Sequence, residues 1–227
     1  MFQGAQKAMN KNNTLVFITL AIAFVLSILV KPYPYSWAVK LLPMILLIIV
    51  TWRHIKSIDK SHSSGVVTFF ILGLIFSSCG DFALDYKREG WFIYGLGAFF
   101  IAHVCYIVSL IPFTKQLTFN KKILFVVTYL SFGLIMFLQL VDGLGELFIP
   151  VLAYMIVLLL MAFSTVFSHR SNIWLVTGGV SFVLSDSLIG LNKFNSPILF
   201  NHVWVMCSYY FAQYALVKGY LRTLDKA

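Results

Sequence analysis

Residues 66–84 read VVTFFILGLIFSSCGDFAL, with Asp81 as the one charged side chain in the stretch. About 20 apolar residues in helix cross the hydrocarbon core of a bilayer. Eight segments of this kind run along the chain, at about 14–30, 36–52, 66–84, 91–111, 122–140, 147–168, 173–191 and 198–220. None alternates with period 2, so a barrel is excluded. Helices are required, because lipid offers an open backbone no partner. The expected fold is an all-α membrane protein with eight transmembrane helices in one domain, residues 1–227.

Composition agrees. Of 227 residues, 60% are apolar and 11% charged, against about 25% charged in soluble domains. Mean hydropathy is +0.88. Abundant Phe, Leu and Ile exclude disorder. Cys79, Cys105 and Cys207 are odd in number and sit in apolar runs, which excludes a disulfide scaffold. The first span follows Lys7 and Lys11 as a signal peptide would. It leads into Lys31-Pro32-Tyr33-Pro34-Tyr35 with no small-residue cleavage site, so a retained helix is expected. Pro32, Pro34, Pro112, Pro197, Trp37, Trp52, Trp91 and Trp174 mark the joints.

The net charge of +9 has no nucleic-acid reader motif behind it. Its distribution follows membrane topology instead. One side would hold Lys7, Lys11, Arg53, Lys56, Lys60, Lys115, Lys121, Lys122, Arg170, Lys218, Arg222 and Lys226, which is 12. The other would hold Lys31, Lys87, Arg88 and Lys193, which is 4. The imbalance puts both termini in the cytoplasm. In a bacterium the membrane would be the inner one.

The informative residues are those that lipid penalises. A charge near the bilayer centre costs about 3 kcal/mol on insertion scales. Asp81, Asp186, His103 and His202 stand inside spans, and Lys40 about one turn inside its own. A glycine precedes each aspartate by eight residues, Gly73 and Gly178. This faint repeat has a unit of four spans and implies two parallel four-helix halves. Counting back from Lys87 and Lys193 sets both carboxylates about 9–10 Å below the outer rim. Gly73 and Ser77 share the Asp81 face and allow close helix approach. Two acids at one depth, on faces built for packing, suggest a shared cavity open to the non-cytoplasmic side. Lys40 serves either that site or only the interface, by snorkelling. His202 is expected to be structural, the thiols to be packing, and Asp85, Glu89, Asp142 and Glu146 to be solvated at joints. There is no Gly-x-Ser-x-Gly elbow, no phosphate-cradling glycine loop and no three-ligand zinc set. No metal or cofactor is called for.

Gly80-Asp81-Phe82-Ala83-Leu84, Phe100-Ile101-Ala102-His103-Val104-Cys105-Tyr106, Ser185-Asp186-Ser187-Leu188-Ile189-Gly190-Leu191-Asn192-Lys193-Phe194 and Ser208-Tyr209-Tyr210-Phe211-Ala212-Gln213 together resemble the YhhN family, which includes the animal lysoplasmalogenases. Lys40-Leu41-Leu42-Pro43 also fits. The resemblance runs from the second span to the eighth. It implies a hydrolase of the vinyl ether bond of lysoplasmalogens, with a lysophospholipid substrate drawn from the bilayer. The products would be a long-chain aldehyde and a glycerophospho-ethanolamine or -choline. The family's two critical acids would fall on Asp81 and Asp186.

The chemistry suits such residues. Protonating the outer alkene carbon gives an oxocarbenium ion, water adds, and the hemiacetal collapses to aldehyde and alcohol. Two carboxylates holding one proton between them supply acid, counter-charge and base, as in glycoside cleavage. On this reading Asp81 and Asp186 form the dyad. Asn192 and Tyr209 orient water or the ether oxygen, and Lys40 and Lys193 hold the phosphate at the rim. His103 tunes the site from below, and Tyr106 and Gln213 add polar tips. Two other classes use the same residues. A proton-coupled transporter would run a relay through the acids, but Pro43 is the one proline deep in a span. A lipid-binding scaffold would leave both acids without a role.

Overall fold

Each apolar run becomes one long helix. The computed structural model describes residues 9–57, 65–86, 90–115 and 117–225. The helices are α1 Lys11–Ser27, α2 Ser36–Ser57, α3 Gly65–Tyr86, α4 Phe92–Ser109, α5 Phe119–Leu140, α6 Phe148–Phe167, α7 Ile173–Phe194 and α8 Asn201–Leu224. There is no strand among the described residues. The expected spans are matched within a few residues, and α8 starts three residues later because Phe200 takes a left-handed conformation before it. Lys7, Lys60, Lys87, Arg88, Glu89 and Lys226 lie outside the described residues.

The helices alternate in direction. At one end the joints α1–α2, α3–α4, α5–α6 and α7–α8 come together. There Lys31 meets Asp85, the Phe92 and Phe194 rings lie 5.8 Å apart, and Asn195 Nδ2 donates to the Gln139 carbonyl at 2.7 Å. At the other end Lys115 N–H donates to the Phe167 carbonyl and His169 N–H to that of Pro112, both at 3.0 Å. His54 Nε2 lies 2.9 Å from Asp225 Oδ1 at that end. The first turn of α1 reaches it too, through Thr14 and Tyr214 hydroxyls 3.1 Å apart.

Seven of these helices are long and apolar enough to cross a membrane, and α8 is not among them. Its position explains the difference. Apart from its C-terminal end and the exposed stripe Trp204, Cys207 and Phe211, α8 is buried on every face, whereas α1 and α5 bury one narrow stripe each. A helix wrapped by other helices meets protein rather than lipid, so Tyr209, Tyr210, Gln213 and Tyr220 find partners or packing there. The chain is thus a multi-pass membrane protein built around its least hydropathic span.

The pairings α3–α4 and α7–α8 are the most extensive. Small residues allow them. Asn172 caps α7 by accepting from Trp174 and Leu175 N–H, and its Nδ2 donates to the Gly219 carbonyl of α8 at 3.0 Å. A Cβ on Gly178 would lie 2.9 Å from the Leu216 backbone nitrogen and 3.1 Å from the Ala212 carbonyl oxygen. Both obstacles are backbone and cannot rotate away. Gly178→Leu should therefore lower stability by about 1–3 kcal/mol through overpacking, read as an earlier unfolding transition of the purified protein in detergent.

Candidate active site

Asp186 lies two turns before the end of α7. Its Oδ2 accepts a short hydrogen bond from the Tyr154 hydroxyl of α6. His103 of α4 comes from the third side, with Nε2 3.0 Å from the same hydroxyl and 3.6 Å from Asp186 Oδ2. His103 is fully buried, packed edge-on against Phe182 with centroids 4.7 Å apart. Helix α7 comes close to α6 because Gly179 has no side chain to meet Thr165, whose Oγ1 would be 2.7 Å from a Cβ there.

This nest opens on a narrow cavity of about 70 Å³, walled by α4, α5, α6 and α7 with Leu84 of α3. Its lining is Leu, Val, Ile, Met, Phe and Gly apart from Asp186, Tyr154 and Ser187. A mostly apolar lining with a few convergent polar groups is the usual character of a small-molecule site. At its rim stand Phe92 and Phe194. The ammonium of exposed Lys193 lies over them, 4.5 Å and 5.7 Å from the ring centres.

Asp81 is answered differently. Lys40 is buried, not at the rim, and its Nζ stands 3.1 Å from Asp81 Oδ1 and 3.2 Å from the Asp81 carbonyl. An ammonium that deep in the bundle needs a counter-charge, and Asp81 supplies it in direct contact. Tyr209 of α8 donates to Asp81 Oδ2 at 2.5 Å. Pro43 lacks the N–H that would close the helix turn behind it, and one turn away Tyr210 donates to the Lys40 carbonyl at 2.8 Å. Further along, Tyr106 donates to Gln213 Oε1 at 2.8 Å and lies 3.4 Å from Ser77 Oγ. The Tyr106 ring fills the space that Gly73 leaves.

The two carboxylates therefore do not meet in one cavity. Asp186 lines it, and Asp81 is not among its lining residues. The Phe182 ring packs against both His103 and Tyr209, at 4.7 Å and 5.6 Å, and so stands between the partners of the two acids. Two other placements differ from expectation. Asn192 is spent on the α7–α8 connection, where its Oδ1 accepts from Ile198 N–H at 2.9 Å. Asp85 is not solvated. Its side chain is 1% exposed, held by Lys31 at 2.5 Å and by the Ser36 hydroxyl at 2.5 Å. Asp142 and Glu146 are exposed as expected, and His202 packs against Phe24. Tyr154 is the site residue that sequence reasoning missed. Its signal was a phenol inside the long apolar run of α6. Among the described residues no group of three His, Cys, Asp or Glu could hold a metal ion.

The YhhN family model matches residues 35–220. A "Lysoplasmalogenase" of Mycobacterium bovis is 32% identical over 130 residues, which is 56% of this chain and 50% of the relative. The chain thus spans about half the length of the mycobacterial relatives it matches. The mouse "Lysoplasmalogenase TMEM86B" is 30% identical over 195 residues, 85% of this chain and 78% of the relative. The human "Lysoplasmalogenase TMEM86A" is 25% identical over 191 residues, covering 81% and 77%. No solved structure matches the chain.

The buried pair makes a distinct prediction. Lys40→Met leaves Asp81 without its cation and should cost about 3–5 kcal/mol. Lys40→Met with Asp81→Asn removes both charges and should recover most of that loss. Unfolding midpoints of the two variants in detergent check this, and equal destabilisation in both would contradict the pairing.

Proposed function

The chain belongs to the YhhN family, and from that premise we propose that it is a membrane hydrolase cleaving the vinyl ether bond of lysoplasmalogens to a fatty aldehyde and a glycerophospho-alcohol. The observation that carries this reading is one carboxyl group, Asp186, in the wall of a mostly apolar cavity with a cation at its rim. A lysolipid has the same order of parts: anionic phosphate, glycerol, ether, then a long aliphatic chain. Lys193 follows Asp186 by seven residues, on the same face and about 10 Å higher. Phosphate at Lys193 brings the ether oxygen and its alkene down toward Asp186.

The steps follow from the nest. The Asp186 carboxyl delivers its proton to the outer alkene carbon. The resulting carboxylate faces the oxocarbenium ion and stabilises it through space. Water enters from the rim, Asp186 takes its proton back as water adds, and the hemiacetal separates into aldehyde and alcohol. The Tyr154 hydroxyl, itself bonded to His103, fixes the carboxyl orientation. Positioned acids of this kind contribute about 10²–10⁴-fold.

Asp81 is the second acid of the proposal. Its charge is matched by Lys40, so we assign it a positioning role. It anchors Tyr209, whose ring backs Phe182 and through it His103. The arrangement also favours two related halves. Asp81 on α3 takes partners from α2 and α8, and Asp186 on α7 takes them from α6 and α4. Each aspartate is thus served by the second helix of its own half and the last helix of the other. The lysine and arginine count supports cytoplasmic termini, and on that reading the cavity rim opens on the opposite side.

Purified protein given lysoplasmalogen should release aldehyde. Asp186→Asn should lower turnover about 10²–10⁴-fold with the fold intact. Lys193→Gln should raise KM while kcat holds. The double variant Lys40→Met with Asp81→Asn should stay within about tenfold of wild type, as a remote positioning pair would. A folded double variant as inactive as Asp186→Asn would return Asp81 to the reacting atoms.

A further inference from the structure

The cavity is too short for the chain that the proposed substrate carries. On α7 its lining runs from Phe194 down to Val183, which is one turn below Asp186. That turn adds about 5 Å. A single lipid chain spans half of the hydrocarbon core, about 15 Å. With the alkene at Asp186, the chain cannot continue straight down, because Phe182, His103 and Leu158 are buried core at that level. It has to leave sideways.

One wall permits this. Helices α6 and α7 are anchored along the bundle by many buried residues, whereas α5 buries only Tyr129, Gly133, Met136 and Leu140. The rest of α5 faces outward, with Leu124, Leu130, Leu134 and Leu138 each about 60% exposed. It lies over the cavity as an outer wall. It is held by Gly133 against Leu159 of α6, by the Tyr129 and Phe137 rings at 5.0 Å and 6.1 Å from those of Phe163 and Phe148, by Leu140 against Gly190 of α7, and by Gln139 against Asn195, a far thinner set of approaches than those between α3 and α4 or between α7 and α8. The cavity lining on α5 is Phe132, Gly133, Met136 and Leu140, the same stripe that holds it to the bundle. Moving α5 outward therefore opens the cavity directly to lipid.

We propose that the space beneath α5 is the binding subsite for the long aliphatic chain of a lysolipid, which enters laterally from the bilayer past α5 and keeps its chain end in the membrane. The inference rests on the hydrolase reading for the identity of the ligand, but its test does not need turnover. The outer end of α5 can be tethered to α7 through Gln139→Cys and Asn195→Cys. Their native side chains already touch, with Asn195 Nδ2 3.0 Å from Gln139 Oε1. Cys79, Cys105 and Cys207 are replaced by Ala in the same chain, and a short bis-methanethiosulfonate, which forms a reducible disulfide with each new cysteine and releases methanesulfinate, closes the tether.

Two probes are used in phosphatidylcholine vesicles. The first is an alkyl ether lysolipid, which has no vinyl ether, with a diazirine near its chain end. It should label α5 and the facing side of α6. The tether should cut labelling at least tenfold, and reductant should restore it. The second is a pair of vinyl ether substrates, one long-chain and one short-chain and water-soluble. The tether should lower kcat/KM for the long one at least tenfold and change the short one less than threefold. Labelling confined to Val183 and Leu158, or labelling and long-chain turnover unaffected by the tether, would overturn the subsite. Equal loss on both substrates would overturn lateral entry. If the untethered protein cleaves neither substrate while the tether still blocks labelling, the hydrolase reading fails and the chain subsite stands.

Discussion

A carboxylate on a helix that crosses hydrocarbon must be answered by another helix, because lipid answers nothing. Much of this bundle can be read as two answers to that demand. Asp81 receives a lysine and a phenol, from α2 and α8. Asp186 receives a phenol and an imidazole, from α6 and α4. Each answer ties three helices together at one point. The small residues Gly73, Gly178 and Gly179 bring the helices close enough for side chains this short to reach. The central place of α8 follows, since it supplies Tyr209 and Tyr210 to the first nest and the buried neighbour of α7 beside the second.

Eight helices were legible because each apolar run is long and broken by proline, tryptophan or charge, and, without the alternation of a barrel, lipid permits no other regular structure. The aspartates were legible for the same reason, as charges with no business in a span. What the sequence could not tell was partnership. Lys40 stands one turn inside α2, and nothing local separates a snorkelling lysine from one turned inward; the decision rests with Asp81, 41 residues away. Asp85 read as a joint residue because its neighbours are polar, yet Lys31 and Ser36 enclose it from across the α1–α2 connection. Tyr154 was hidden by hydropathy, since a tyrosine inside an apolar run looks like packing until its hydroxyl is seen to have a target. Equal depth of two acids was misleading about a common cavity, because depth along an axis carries no angle around it.

The difference between the two nests is chemical. A lysine brings a full charge, and its attraction for Asp81 leaves that carboxylate committed. Tyr154 and His103 bring hydrogen bonds around one oxygen of Asp186, and leave its other side toward the cavity. A group that must give up a proton and take one back needs a free face and partners that orient without neutralising. By that criterion the second nest is suited to chemistry and the first to holding the bundle in register. The proposed repeat would then have kept one copy as structure and left the other open. The proposed lateral entry passes α5, the most loosely held wall of the cavity, so the aspartate without a paired cation is the one that an entering lipid would reach.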